Sequence, residues 1–347
     1  MKKLAILALI ALSCTGAMAQ QLNAAGATFP YVIYSKWFDQ YKQKTGVAIN
    51  YQSIGSGGGI KQVTEGTVDF GASDGPMNDT MMKVFHDKQG TEIVHIPTVM
   101  GAVVLTYNVP GVNQSIKLAP DIIPDIYLGV ITKWNDPRLA AINPGVNLPD
   151  MPIIVVHRSD GSGTTYIFTD YFCKVSGFWK DKVGKGNSVN WPTGIGAKGN
   201  EGVAGQVKQL SGSIGYVELA YAIQNNLYYA DVKNKSGNYV KASLESVTAD
   251  AADMAKDIPN DLRASITDGP GANDYPICSM TWLLVPKEIK DATKAKQLVG
   301  FLEWVYSDGE QYAAGLNYAP LPAAVVKLCK EKIAMITSNG KSVMKMR

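Results

Sequence analysis

Three short stretches combine glycines, hydroxyl side chains and the start of a helix. They are Ala25-Gly26-Ala27-Thr28-Phe29-Pro30, Gly55-Ser56-Gly57-Gly58-Gly59 and Asp160-Gly161-Ser162-Gly163-Thr164. Each follows a short apolar segment. A helix start carries unpaired N–H groups and a partial positive charge. Glycines let the backbone approach a ligand closely, and Ser and Thr hydroxyls add donors. Three such starts aimed at one point would form an anion site that needs little formal charge. Arg158 stands at the mouth of the third stretch, where its planar fork can grip two oxygens of an oxyanion. Asp160, two residues on, can pair with that guanidinium and orient it. Asp74 follows the second apolar segment after the glycine run. A carboxylate suits an anion site only if the anion carries a proton. Phosphate near neutral pH carries at least one; sulfate carries none. Sulfate would meet Asp74 acceptor against acceptor, a mismatch worth roughly 1–3 kcal/mol or more.

Other motifs point elsewhere and are weaker. Gly71-Ala72-Ser73-Asp74-Gly75 has the G-x-S-x-G pattern of a hydrolase nucleophile elbow. Such an enzyme needs a distant histidine after an acid, which leaves His157, beside Arg158, as the partner. Gly194-Ile195-Gly196-Ala197-Lys198-Gly199 matches G-x-G-x-x-G. No apolar strand precedes it, so a dinucleotide site is not expected. The glycine run at Gly55 lacks the GK[ST] ending of a nucleotide loop. Cys173, Cys278 and Cys329 have no CxxC spacing and no neighbouring histidine, so no metal centre and no cofactor are expected. In an exported chain one pair of them could oxidise, with the pairing left open. An adhesion or matrix role is a third class, and it predicts no tight binding of a small anion.

The elements that must carry these loops alternate. Helical spacing of Val32, Ile33, Trp37 and Tyr41 predicts a helix to Thr45, with Thr28 as its cap. Short strands are expected at 47–51, 68–72, 93–97, 103–108, 153–156, 214–217 and 281–285. Helices are expected from Ile60, near 122–128, over 166–175 and over 292–306. Residues 231–275 read as irregular, and the tail from Thr337 as poorly ordered. The alternation indicates an α/β fold with largely parallel sheets, whose ligands sit at the carboxyl ends of strands.

The N-terminus reads as an export signal: Met1-Lys2-Lys3, an apolar run from Leu4 to Leu12, and Ala17-Met18-Ala19 before Gln20. Cleavage is expected after Ala19. The context of Cys14 fits lipid attachment poorly. Removing residues 1–19 from the 347 leaves a chain long enough for two domains. Of the formal charge of +3, Lys2 and Lys3 supply two, and no cluster of basic residues suggests nucleic-acid binding.

The runs AGATFP, GSGGGIKQ, VDFGASDGP, RSDGSGTT, NWPTGIGAKGNEGVA and GSIGYVELAYA resemble the periplasmic phosphate-binding proteins of Pst-type phosphate ABC transporters. The likeness extends from Ala25 to about Pro322 and is weak beyond Val326. It implies a two-lobed periplasmic binding protein fold (type II), with the ligand cleft between the lobes. It also implies binding of inorganic phosphate in the periplasm, delivery to the permease and ATPase subunits of an importer, and no catalysis. Carried over by position, phosphate contacts fall on Thr28, Phe29, Ser56, Asp74, Arg158, Ser162, Gly163 and Thr164, with Asp160 supporting the arginine. Gly57 stands where relatives can carry a second serine. The lobes are expected to comprise residues 20–101 with 277–347, and 102–276. Trp37 and Trp191, nearest the loops in sequence, are candidate reporters of closure.

Overall fold

A computed structural model describes residues 21–346. The expected export signal, its cleavage point and Cys14 lie outside the described residues. Among the described residues no helix is long and apolar enough to cross a membrane.

The strands that build the site are β1 (Gln21–Gly26), β2 (Ala48–Ser53), β3 (Phe70–Ser73), β4 (Ile93–Asn108), β5 (Ile154–Arg158), β6 (Ile195–Ala197), β7 (Ser213–Glu218), β8 (Tyr228–Tyr229) and β9 (Cys278–Pro286). The helices are α1 (Tyr31–Thr45), α2 (Ser56–Glu65), α3 (Asp79–Gln89), α4 (Gly163–Val175), α5 (Gly199–Gln209) and α6 (Ala292–Trp304). The strands form one continuous ladder in the order β2-β1-β3-β9-β4-β7-β5-β6, with β8 also on β4. The ladder is mixed rather than largely parallel. β1 runs parallel to β2 and β3, and β5 runs parallel to β6 and β7. Between these parallel groups β9 and β4 run antiparallel to their neighbours.

β4 joins the two halves of the ladder. Its sequence, IVHIPTVMGAVVLTYN, is apolar almost throughout, as a strand buried on both faces requires. Ile93–Ala102 pairs with β9, and Val103–Asn108 pairs with β7. The sequence suggested two strands, 93–97 and 103–108. The chain instead continues through a register shift opposite Thr281 and Trp282, where the missing N–H of Pro97 is tolerated.

α1 turns Ile33, Tyr34, Trp37, Phe38 and Tyr41 inward. α2 packs on β1 and β3, and α5 packs on β7 and β5. A second aromatic cluster gathers Tyr127, Phe168, Phe172, Trp179, Trp191 and Tyr216. Residues 231–275, expected to be irregular, contain short strands at Asp231–Lys233 and Tyr239–Val240 and a helix at Leu244–Met254. The tail is ordered too. Thr337–Ser338 pairs with Lys341–Ser342, and Val343 is buried against the core. Its polar composition hid the few apolar anchors that fix it.

Candidate functional site

The three glycine-rich loops meet. β1 delivers Thr28 and Phe29, α2 begins at Ser56, β3 ends one residue before Asp74, and β5 ends on Arg158 with α4 beginning at Gly163. Thr28, Phe29, Ser56, Asp74, Arg158, Ser162 and Thr164 are all 3 % exposed or less, and Gly163 is buried. Such depth for so many polar groups requires partners, and nearly every one is identifiable.

Close contact is enforced by glycine. An ideal Cβ on Gly163 would lie 2.4 Å from Ser56 Oγ and 2.6 Å from Asp74 Oδ2. Any side chain there would wedge the second loop away from the third. Gly55 has φ of +87°, and a Cβ there would stand 2.4 Å from Asp160 Oδ2. Gly57 donates its N–H to the Gly161 carbonyl at 2.8 Å, so the two loops touch backbone to backbone.

The hydroxyls are filled from behind. Thr28 Oγ1 accepts from Asn200 Nδ2 at 2.7 Å and from the Asn200 N–H at 3.3 Å. Thr164 Oγ1 accepts from Asn200 Nδ2 at 3.1 Å and from Arg158 Nη1 at 3.4 Å. Ser162 Oγ accepts from the Thr165 N–H at 3.0 Å, and Ser56 Oγ from the Asp74 N–H at 3.1 Å. A hydroxyl whose oxygen already accepts has its hydrogen left to donate. The first-turn N–H groups of α4 at Gly163 and Thr164 have no intrahelical acceptor. The result is a ring of preoriented donors.

Arg158 is held rigidly. Its Nε and Nη2 reach Asp160 Oδ1 at 2.7 Å and Oδ2 at 2.5 Å. The Gly199 N–H also donates to Asp160 Oδ1, at 3.1 Å. Burial works to raise the Asp160 carboxyl, but the Arg158 hydrogen bonds and charge hold it below the ordinary aspartate range. Asp160 therefore pairs with the arginine, while Ser162 caps α4.

Asp74 is the one carboxylate among these donors. Thr281 Oγ1 donates to its Oδ1 at 2.8 Å, and Ser56 Oγ stands 3.5 Å from its Oδ2. Burial pushes the Asp74 carboxyl up to about 7, against the Thr281 hydrogen bond, the Arg158 charge and Ser56.

The structure alters some sequence expectations. Thr28 does not cap α1: Pro30 holds that position without a side-chain bond, and the Thr28 hydroxyl is engaged by Asn200. α2 starts at Ser56 and not at Ile60, so its glycines form the first turn. Ser73 has no histidine partner; its hydroxyl bonds to the Gly75 backbone, while His157 stacks on Trp191. The hydrolase arrangement is not built. Cys173, Cys278 and Cys329 stand as free thiols. Trp37 lies in the core, bonded to the Gly309 carbonyl, and Trp191 alone of the two flanks the third loop, through His157.

Sequence reasoning missed two residues. Asn200 opens α5 right after β6, a fourth strand–glycine–helix passage disguised as a nucleotide-type motif. Thr281 is a hydroxyl inside the buried strand β9, a position polar residues rarely take without a partner.

Residues 15–309 match a model of the PBP superfamily domain. The phosphate-binding protein PstS of Pasteurella multocida is 43% identical over 328 residues, covering 94% of each chain. The PstS of Haemophilus influenzae is 44% identical, covering 91% of this chain and 93% of its own. The chain belongs to the PstS family of phosphate-binding proteins. Its fold is also that of solved proteins of low identity. A phosphate-binding protein from Stenotrophomonas maltophilia aligns with a TM-score of 0.68 at 20% identity, covering 90% of this chain and 94% of its own. A high-affinity periplasmic phosphate-binding protein, PfluDING, solved with phosphate, aligns with a TM-score of 0.70 at 22% identity, covering 91% and 94%. Both place this chain in the two-lobed α/β binding-protein architecture.

Proposed function

We propose that the chain captures inorganic phosphate in the periplasm and hands it to the permease and ATPase subunits of an ABC importer, without chemical change. The observation that carries this reading is one buried carboxylate, Asp74, inside a ring of fixed donors from Thr28, Ser56, Arg158, Ser162, Gly163 and Thr164. Phe29 would contribute from the first loop. A fully deprotonated anion fits the donors but not Asp74. Phosphate fits both, because a P–OH can donate to Oδ2. On this reading Asp74 excludes sulfate by the absence of a proton, and Asp160 keeps Arg158 in place.

The lobes proposed are residues 20–101 with 277–347, and 102–276. Two strands support that division. β4 changes partners between Ala102 and Val103, and β9 begins at Cys278 opposite Ala102. These two crossings would form the hinge. Thr28, Ser56 and Asp74 would approach Arg158–Thr164 as the lobes close, and phosphate would favour the closed form by contacting both. The solved periplasmic protein PfluDING, of like fold, and the charged, apolar and small-residue pattern of 1–19 support a cleaved signal and periplasmic residence.

Titration calorimetry on phosphate-stripped protein tests this directly, with phosphate, sulfate and an Asp74→Asn variant. Tight one-to-one binding of phosphate, no heat from sulfate, and weaker discrimination in the variant are the expected results. Equal binding of both anions by the wild type removes Asp74 from its role, and binding of neither removes the function.

A further inference from the structure

Asp74 has two oxygens, and the site uses only one. Oδ2 lies where the second and third loops meet, beside Ser56 Oγ and against Gly163. Oδ1 points the other way, into the sheet, where Thr281 waits. The antiparallel register explains the meeting. Leu283 pairs with Ala72 and Trp282 with Ser73, so the next step along both strands sets Thr281 beside Asp74. On its other side β9 faces the irregular stretch of β4, where Trp282 pairs with Pro97 and Thr281 with Val99. Thr98 is the extra residue there. Its hydroxyl donates to the Thr281 carbonyl at 3.3 Å and pairs with the Tyr34 hydroxyl at 2.7 Å. The bulge thus pins the Thr281 backbone from behind. Thr281 itself is fully buried. Its hydroxyl hydrogen needs an acceptor, and Asp74 Oδ1 stands at 2.8 Å.

We propose that Thr281 is a positioning residue that favours the ionised form of Asp74 and presents its Oδ2 as an acceptor, and so sets the anion selectivity of the site. This rests on the phosphate reading above. A carboxyl group can discriminate by proton only while it is ionised. Once protonated, it gains an O–H that can donate to sulfate as well. A donor fixed on Oδ1 stabilises the ionised form and opposes protonation.

The other groups facing Asp74 do less to hold that state. Arg158 supplies the attractive charge, but Asp160 shares it. The phenols of Tyr34, Tyr51, Tyr221 and Tyr318, from α1, β2 and the segments after β7 and α6, are raised by burial and stay neutral. The Glu218 carboxyl, at the end of β7, is itself pushed well above the ordinary range by burial. Burial itself drives the Asp74 carboxyl upward, and the Thr281 hydrogen bond is the largest influence opposing it, ahead of the Arg158 charge and Ser56.

The test uses the full mature chain, wild type, Thr281→Val and Thr281→Ser. Valine keeps the shape and removes the hydroxyl; serine keeps the hydroxyl. Two readouts are followed against pH: phosphate and sulfate affinity by calorimetry, and the protonated Asp74 C=O stretch by infrared difference against Asp74→Asn. The expected result is an Asp74 titration shifted upward by about one pH unit in Thr281→Val. Sulfate binding then appears at correspondingly higher pH, with about a tenfold loss of phosphate preference at pH 7. Thr281→Ser restores both. An unshifted Asp74 titration and unchanged selectivity in a folded Thr281→Val protein overturn the assignment and leave Thr281 as packing. A titration that moves in a protein binding neither anion upholds the Thr281–Asp74 coupling and sinks the phosphate reading instead.

Discussion

Replacing Asn200 by alanine separates closure from stability. The side chain makes three hydrogen bonds: Nδ2 to Thr28 Oγ1 at 2.7 Å, Nδ2 to Thr164 Oγ1 at 3.1 Å, and Oδ1 from the Glu218 N–H at 2.9 Å. In the proposed division Thr164, Asn200 and Glu218 share one lobe, and Thr28 lies on the other. Two of the bonds therefore persist when the cleft opens, and one forms only on closure. A neutral hydrogen bond contributes about 0.5–1.5 kcal/mol net, and an orphaned buried donor costs roughly 1–3 kcal/mol. Asn200→Ala leaves the Glu218 N–H without its acceptor. The ligand-free protein should lose about 2 kcal/mol in urea unfolding, chiefly from that group. The Thr28 bond adds about 1 kcal/mol to the closed form, hence roughly a fivefold weaker Kd for phosphate. The effect stops there because the Asn200 backbone N–H still reaches Thr28 at 3.3 Å and keeps its hydroxyl oriented. Calorimetry and ligand-free unfolding measure the two parts independently. Unchanged affinity would refute the bridging role. A loss beyond a hundredfold with unchanged stability would make Asn200 a direct ligand contact, which the reasoning denies it.

Two further outcomes follow from the same geometry. Gly163→Ala places a methyl 2.4 Å from Ser56 Oγ and 2.6 Å from Asp74 Oδ2; phosphate affinity should fall at least about a hundredfold, since opposing loops must separate by more than a hydrogen bond tolerates. Ligand-free unfolding should barely change, because the clash exists only on closure, and a matching loss of stability would contradict a wedge between lobes. The second concerns pH. Burial holds the folded Asp74 carboxyl at about 7, above its ordinary value of 3.8, so between those limits the folded state holds a proton that the unfolded state has released. Ligand-free stability should then fall as pH rises from about 4 to 7, by a few kcal/mol from this group at roughly 1.4 kcal/mol per unit. Asp74→Asn should flatten that part of the curve, so that it gains on wild type as pH rises; parallel curves from pH 4 to 8 would rule this out.

Much of the site was legible before any fold was known. Glycine, serine and threonine ahead of a helix have few roles, and Arg158 with Asp160 two residues on has few better ones. Element types were legible for the same local reason: the spacing of Ile33, Trp37 and Tyr41 demands a helix, and an unbroken apolar run such as 281–285 demands a buried strand. The boundaries drifted where local chemistry is ambiguous. Glycines at 57–59 read as a loop, yet they form the first turn of α2 because Gly161 packs against them. Pro97 closes the strand expected at 93–97, yet β4 runs on because Thr98 is taken up as an extra residue opposite β9.

What the sequence by itself determined was the inventory: which donors exist, that one arginine and one carboxylate sit among them, and the α/β alternation that carries them. Those properties are set within a few residues of chain. The tertiary structure alone decided which strands are neighbours. Asn200 reaches Thr28 across 172 residues, and Thr281 reaches Asp74 across 207. Strand order and register fix such contacts, and they depend on how whole hydrophobic faces pack, which no local pattern encodes.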